Sequence, residues 1–328
     1  MAMTRTDVLI EYRNRFPNTP NLTLAKKICK EHPALYVSVE SCRGALRRIE
    51  GKGGTKDSKV KYKDRYVPPR SPNPFDDIPK SSSKPRKSVE VDGTRILFLS
   101  DVHFPYHDEE SITVALKYGK EHDADCIYLN GDVIDCYQLS SFEKDPKKRR
   151  FSHELKQAHK FFEILRREFP KAKIYFKEGN HEERYWRFMR IKAPELLDIE
   201  AFTLAALLKL SEFNIEYIGG RTKANIGKLS VFHGHEFGST VFSPVNVARG
   251  LYMRAKANAI CGHSHQTSEH TERDVNDKMI TTWSVGCLCE LSPDYSPYNK
   301  WNHGFAFITR NGSEFHVKNF RIHRGKIV

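Results

Sequence analysis

The 328-residue sequence contains no long hydrophobic run. Nothing in it approaches the roughly 18 consecutive apolar residues of a membrane span, so no membrane partner is expected. No apolar core follows the first residues, so no secretory signal is expected, and the reading is cytoplasmic. Cysteines are few and scattered, at 29, 42, 126, 136, 261, 287 and 289. Their odd number and the lack of any C-x-x-C pair exclude a disulfide framework, a redox dithiol and a zinc knuckle. No internal repeat is present, which excludes a solenoid.

What is present is unevenly spread. The formal charge is +13, and residues 1–95 hold 21 Lys and Arg against 11 Asp and Glu. The remaining 233 residues are nearly balanced, 33 against 30. A basic excess confined to one region suits a polyanionic partner, nucleic acid first, or a solvated surface. Within that region three helices are expected. Thr6 is the expected cap of the first, with Val8, Leu9, Tyr12 and Phe16 on one face. Leu22, Leu24, Ala25 and Ile28 mark a second, ended at His32-Pro33. A third begins near Ser38 or Ser41 and turns Arg43, Arg47 and Arg48 outward. This pattern fits a helix-turn-helix module over residues 1–51, binding nucleic acid or docking a protein. The stretch from Thr23 to Gly54 resembles N-terminal segments of phage and bacterial proteins.

Residues 52–92 are rich in Lys, Ser and Pro and read as a flexible basic linker. From residue 93 the pattern becomes α/β. Strands are expected at 95–100, 125–130, 173–177, 214–218, 229–233, 258–262, 279–285, 305–309 and 314–320. Helices are expected near 109–122, 152–168, 183–210 and 244–256. Such alternation, ending in strands alone, predicts a mixed sheet or two packed sheets.

Five of these strands end in the same kind of chemistry. The first runs into Asp101-Val102-His103, the second into Gly131-Asp132-Val133-Ile134-Asp135, the third into Gly179-Asn180-His181-Glu182. Later strands run into His233-Gly234-His235 and Gly262-His263-Ser264-His265. Strand ends of an α/β sheet face a common crevice, so these side chains can converge. Carboxylates, imidazoles and an amide oxygen suit divalent first-row metals. The set exceeds one tetrahedral zinc and matches two cations sharing a carboxylate. The adjoining glycines let the backbone turn sharply and approach closely.

Residues 95–310 resemble the calcineurin-like metallophosphoesterase superfamily through these five motifs in order: DxH, GDxxD, GNHE, a strand-end His and GHxH. The resemblance implies a four-layer α/β fold: two mixed β-sheets packed face to face, flanked by helices, here preceded by a small three-helix domain. The phosphoesterase domain would span 93–328. The resemblance also implies two divalent cations, manganese first, with iron, zinc, nickel or cobalt as alternatives. Asp101, His103 and His265 would hold one cation and Asn180, His233 and His263 the other, with Asp132 bridging. His181 matches the family's catalytic histidine and Asp135 its orienting partner; Glu182 would support the loop. His235 has no fixed family role, and either a substrate or a structural one is open. Cys136 stands where the phosphoprotein phosphatase branch has arginine, which argues against that branch.

The expected activity is hydrolysis of phosphate mono- or diesters by a metal-bridging hydroxide, with His181 protonating the leaving oxygen. Residues 1–92 would bring the enzyme to nucleic acid in a bacterial or phage-infected cell. Two alternatives stand beside it: a nuclease acting on DNA or RNA directly, and a non-enzymatic DNA-binding regulator with a relic domain. Arg184, Arg187 and Arg190 form a basic helical stripe that either reaches a further phosphate or is merely solvated. The run KDPKKRR (144–150) either guides a polyanion or only aids solubility. Trp301 either walls the pocket or packs.

Overall fold

The computed structural model describes residues 4–51, 75, 77–84, 87–141, 150–238 and 245–328, arranged as two units, Met1–Ser83 and Lys84–Val328. Residues 144–149 of the basic run and most of the expected linker lie outside the described residues.

The first unit holds three helices, α1 (Arg5–Arg15), α2 (Asn21–Glu31) and α3 (Val39–Ile49). Their apolar faces meet in one small core containing Leu9, Leu24, Ile28 and Leu46. Thr4, not Thr6, caps α1: its hydroxyl accepts from the Asp7 amide while the Asp7 carboxylate accepts from the Thr4 amide. That reciprocal pair satisfies two otherwise orphan donors, and Thr6 falls inside the helix. Ser38 caps α3 by accepting from Ser41. Arg13 is an internal cation, paired with Glu50 at 2.7 Å with both side chains buried. Arg47 and Arg48 are exposed, whereas Arg43 is half-buried and pairs with Glu40.

The second unit opens with β1 (Val89–Glu90), β2 (Arg95–Leu99), α4 (Glu109–Glu121), β3 (Cys126–Leu129), α5 (Phe151–Glu168), β4 (Lys173–Lys177) and α6 (Asn180–Lys192). It continues with α7 (Leu204–Leu207), β5 (Ile215–Ile218), β6 (Ala224–Ile226), β7 (Leu229–Val231), α8 (Val247–Ala255) and β8 (Ala259–Cys261). Five strands close it: β9 (Ser268–Arg273), β10 (Met279–Ser284), β11 (His303–Asn311), β12 (Glu314–His323) and β13 (Lys326–Ile327).

These strands form two mixed sheets, ordered β13-β12-β11-β2-β3-β4-β5 and β1-β6-β7-β8-β10-β9. Side chains alternate across each strand. Leu97 and Leu99 of β2 therefore face α4 and α5, meeting Ile112, Ala115, Phe162 and Leu165. Ile96 and Phe98 face the other way and share a core with Val231, Ile260 and Trp283 of the second sheet. On that sheet's far side α8 packs Val247 and Leu251 on Ala259 and Cys261. The layers run helix, sheet, sheet, helix, as expected. Burying each large apolar side chain stabilises by about 1.5–3 kcal/mol. Phe98, stacked on Tyr128 at 5.4 Å, sits at the centre, and its truncation to Ala would cost about 3–5 kcal/mol.

Two expectations are corrected. Val89 and Glu90, assigned to the linker, form β1 by pairing with Ala224 and Asn225, and Val91 beside them is buried. The helix expected over 183–210 stops at Lys192 and resumes only as short turns at Pro194–Leu196 and Glu200–Phe202 before α7. Pro194 lacks the N–H that a continuing helix needs.

The register matters for function. Leu99 pairs with Leu129, and Leu129 with Phe176, all parallel. Val231 likewise pairs with Ile260 in the second sheet. The loops after these strands therefore leave each sheet at a common level. No helix among the described residues is long and apolar enough to cross a membrane.

Candidate metal centre

The loops leaving those strand ends are held in unusual backbone conformations. Asp101, His103, Asp132, His263 and His265 have φ of 57°, 55°, 52°, 67° and 56°. Non-glycine residues seldom adopt this left-handed region, and they keep it only where surroundings impose it. Here they do. Asp101 N–H donates to Gly131 O, and His103 N–H to Asp132 O at 2.8 Å, tying the first loop to the second. The wholly buried Glu182 carboxylate accepts from the amides of Gly179, Asp132, Val133 and Ile134, at 2.8–3.2 Å. It pins the second loop to the third. Gly131 is required between them: a Cβ there would lie 2.7 Å from both the Gly179 amide nitrogen and His233 Nδ1.

The structure brings all nine named site residues into one crevice, and Asp132 Oδ2 is its hub. This oxygen is 3.3 Å from His233 Nε2, 3.7 Å from His103 Nε2 and 3.8 Å from His181 Nε2. His233 Nδ1 donates to the Asn130 carbonyl at 2.6 Å, which leaves Nε2 of the neutral ring as a lone pair. That lone pair also faces Asn180 Oδ1 at 3.0 Å. His263 completes this half, with a ligand atom within 4.8 Å of those of Asp132 and His233. In the other half, His103 Nδ1 lies 3.1 Å from Asp135, turning Nε2 towards His265 Nε2 at 3.3 Å. His265 Nε2 is in turn 3.3 Å from Asp101 Oδ1. Acceptors converging on acceptors need a positive charge between them. The donor set therefore fits a cation in each half.

Electrostatics agree. Burial lowers His233, yet Asp132 outweighs it and raises the imidazole to about 10. Burial and then His233 push His263 down to about 4, against the pull of Asp132. The position between His233 Nε2 and Asp132 therefore attracts a positive charge, a proton on the ring or a cation beside its neutral form. Burial would raise Asp132, but His233 and His181 hold its carboxyl well below the usual range.

His181 opens α6 at the edge of this cluster. Its amide donates to Asp132 Oδ1 at 2.9 Å, and its Nδ1 is 2.9 Å from the Asp135 carbonyl oxygen and 3.0 Å from Asp135 Oδ1. Arg184, one turn later, donates to the Asp135 carbonyl and to His181 Nε2, each at 2.9 Å. Burial lowers His181, but Asp132 and Asp135 together raise it above its ordinary value.

A model of calcineurin-like phosphoesterases matches residues 94–267. The chain belongs to the calcineurin-like phosphoesterase family. Vps29 from Cryptosporidium parvum is similar in structure at 13% identity and a TM-score of 0.39, over 72% of this chain and 95% of that one. Vps29 from Entamoeba histolytica, solved with Zn2+, gives 13% and 0.37 over 71% and 96%. The E. coli phosphoesterase YfcE gives 14% and 0.30 over 65% and 87%. No curated protein matches the chain.

Several residues of this phosphoesterase site carry no motif. Arg184 turns into the crevice, where stripe spacing alone left a solvated face open. Glu154 of α5 is buried and accepts from the Cys136 and Tyr137 amides at 2.6 and 3.2 Å, fixing the loop behind Asp135. Lys177 and Glu236 form a buried pair at 2.8 Å, and Glu236 also accepts from the His233 and Gly234 amides. An isolated Glu in an amphipathic helix gives no sequence signal; a Lys ending an apolar strand is a weak one. His235 pairs with Glu183 at 3.0 Å, at the edge of the site. Trp301 packs edge-on against His265 with centroids 4.1 Å apart, so it both packs and walls the site.

Proposed function

We propose that this protein is a metal-dependent phosphoesterase that hydrolyses phosphate mono- or diesters at a dinuclear centre. The observation that carries the reading is the convergence of imidazole ligand atoms from both sheets on Asp132 Oδ2. Asp101, His103 and His265 would hold one cation and Asn180, His233 and His263 the other, with Asp132 between. When bound, such cations neutralise phosphoryl oxygens and acidify water to a nucleophile near neutral pH.

The chain's own residues do the rest. Asp135 accepts from His181 Nδ1 and so fixes its tautomer and aim. Arg184 donates to His181 Nε2. A phosphoryl oxygen is a stronger acceptor for a guanidinium than an imidazole nitrogen. Once Arg184 turns to it, His181 Nε2 is released to carry a proton, favoured by the two carboxylates. It then protonates the departing oxygen, a contribution of roughly 10²–10⁴-fold. The expected placement of residues 1–51 as a nucleic-acid-binding module joined by a basic linker remains part of this proposal, supported by exposed Arg47 and Arg48 on α3.

Elemental analysis of the purified chain, with manganese-supplemented hydrolysis of an aryl phosphate monoester and diester, tests the reading. Failure to turn over either ester with any first-row divalent metal would leave a relic domain.

A further inference from the structure

Resting on the phosphoesterase reading, we propose that the substrate is an unpaired nucleic-acid strand. Its flanking phosphates run along the Arg184–Arg187–Arg190 edge of α6, and one base enters an aromatic pocket beside His265.

Two concavities border the metal-site residues. The first is a cleft of about 890 Å³ that begins at Asn180 and is walled by Arg184, Arg187, Arg190, Arg221 and Lys87. The arginines of α6 recur every three residues, so they lie along one face. Arg221 is engaged by Glu183 at 3.1 Å. Glu178, also in the wall, spends its carboxylate on Trp186, Tyr217 and the Gly220 amide. Arg187 and Arg190 are exposed and, among the described residues, have no carboxylate partner. A merely solvated helix face has no reason to front a cleft that ends at the reacting centre. Two uncompensated guanidinium groups there match phosphates beyond the scissile one.

The second concavity, about 200 Å³, borders the other half of the site at His103 and His265. It is smaller than the usual 300–1,000 Å³ of a site for a whole small molecule, so it suits one group of a larger substrate. Tyr106, Tyr137, Tyr295 and Trp301 line it, together with Glu290 and Asp294. Tyr295 is 77% exposed and stands 6.3 Å from Trp301, leaving a ring face open to solvent. Open aromatic faces beside a phosphate-binding groove are stacking platforms for bases. Carboxylates in such a lining accept from base N–H groups. A pocket this narrow admits a base only after it leaves its pair, which selects single strands.

The reaction balances as hydrolysis of a diester. Water adds its oxygen to phosphorus and gives a proton to solvent, the bond from phosphorus to one sugar oxygen breaks, and that oxygen leaves with the proton from His181, which solvent then restores.

The test uses the full chain and dye-labelled 12-nucleotide DNA and RNA single strands, with the matching duplexes alongside. Anisotropy gives binding, and hydrolysis of the same strands is compared with that of bis(p-nitrophenyl) phosphate. Arg187→Glu with Arg190→Glu should lower the log–log salt slope of binding by about 1.4, two single-strand phosphate contacts. It should also reduce the oligonucleotide-to-aryl ratio of kcat/KM at least tenfold. Tyr295→Ala should weaken binding roughly five- to hundredfold, the loss of one stacked base. The DNA and RNA arms decide which sugar the strand carries. Unchanged slope and ratio in the double variant, or equal turnover of duplex and single strands, would overturn the inference. Aryl ester hydrolysis that persists beside either result would leave the phosphoesterase reading standing.

Discussion

His181 Nδ1 stands 3.0 Å from Asp135 Oδ1, and the same oxygen lies 3.1 Å from His103 Nδ1. Asp135 therefore orients two rings with different proposed tasks, one holding metal and one moving a proton; at His181 its main-chain carbonyl, 2.9 Å from Nδ1, assists the carboxylate. Asp135→Asn should damage both. Metal affinity is expected to fall about 10–100-fold. Turnover at saturating metal should fall by roughly 10²-fold or more. Metal titration followed by kinetics in excess manganese separates the two losses; full rescue of kcat by metal would refute the role at His181.

His181→Ala and Asp132→Ala should each abolish most activity, but for different reasons. Asp132 Oδ2 faces both halves of the site, so only its loss should strip bound metal. Elemental analysis of both variants decides the matter. Equal metal loss would place His181 among the ligands.

Gly262→Ala should destabilise the fold and disturb the site together. Its Cβ would lie 2.5 Å from Asp101 Oδ2 and closer still to Ser100 Oγ, both wholly buried. Overpacking of this kind costs about 1–3 kcal/mol. Thermal melts should register that loss, and metal content should fall as Asp101 is displaced.

Glu154 should make stability fall with rising pH. Burial, and then the charge of Asp135, raise its carboxyl from 4.5 to about 8, against the amides of Cys136 and Tyr137. Between those values the folded chain binds a proton that the unfolded chain lacks, so stability declines as pH rises through the window. Glu154→Gln cannot titrate and leaves one of the two amides poorly satisfied. Its melts should be lower by a fixed offset, with the wild-type decline between about pH 5 and 8 flattened. Parallel curves for the two proteins would show that Glu154 is not responsible.

Residues 1–92 should bind DNA with a steep salt dependence if the exposed arginines of α3 meet phosphates. Each phosphate neutralised contributes about −0.9 to the log–log slope on duplex DNA. A flat slope in anisotropy titrations would remove nucleic acid from the role of this unit.

Legibility in the sequence followed locality. The strand ends were readable because an apolar run and a polar ligand, usually with a glycine beside it, fall within a few residues of each other. The edge strand β9, SEHTER, was not, because its half-buried and exposed positions are both polar. Strands β1 and β6, of two and three residues, are too short to show alternation. The supports escaped for another reason. Glu154 serves a loop 18 residues away and Lys177 a partner 59 residues on, and nothing in their own neighbourhoods announces it. Arg184 was ambiguous because helical spacing defines a stripe without saying what it faces.

Asp101, His103, Asp132 and Asn180 hang from one sheet, and His233, His263 and His265 from the other. Cations seated among them would act as rivets through the seam of the sandwich. Chelation would then do more than silence chemistry: it would unfasten two layers joined at that end by mutually repelling donors, and heat or protease should find that seam first.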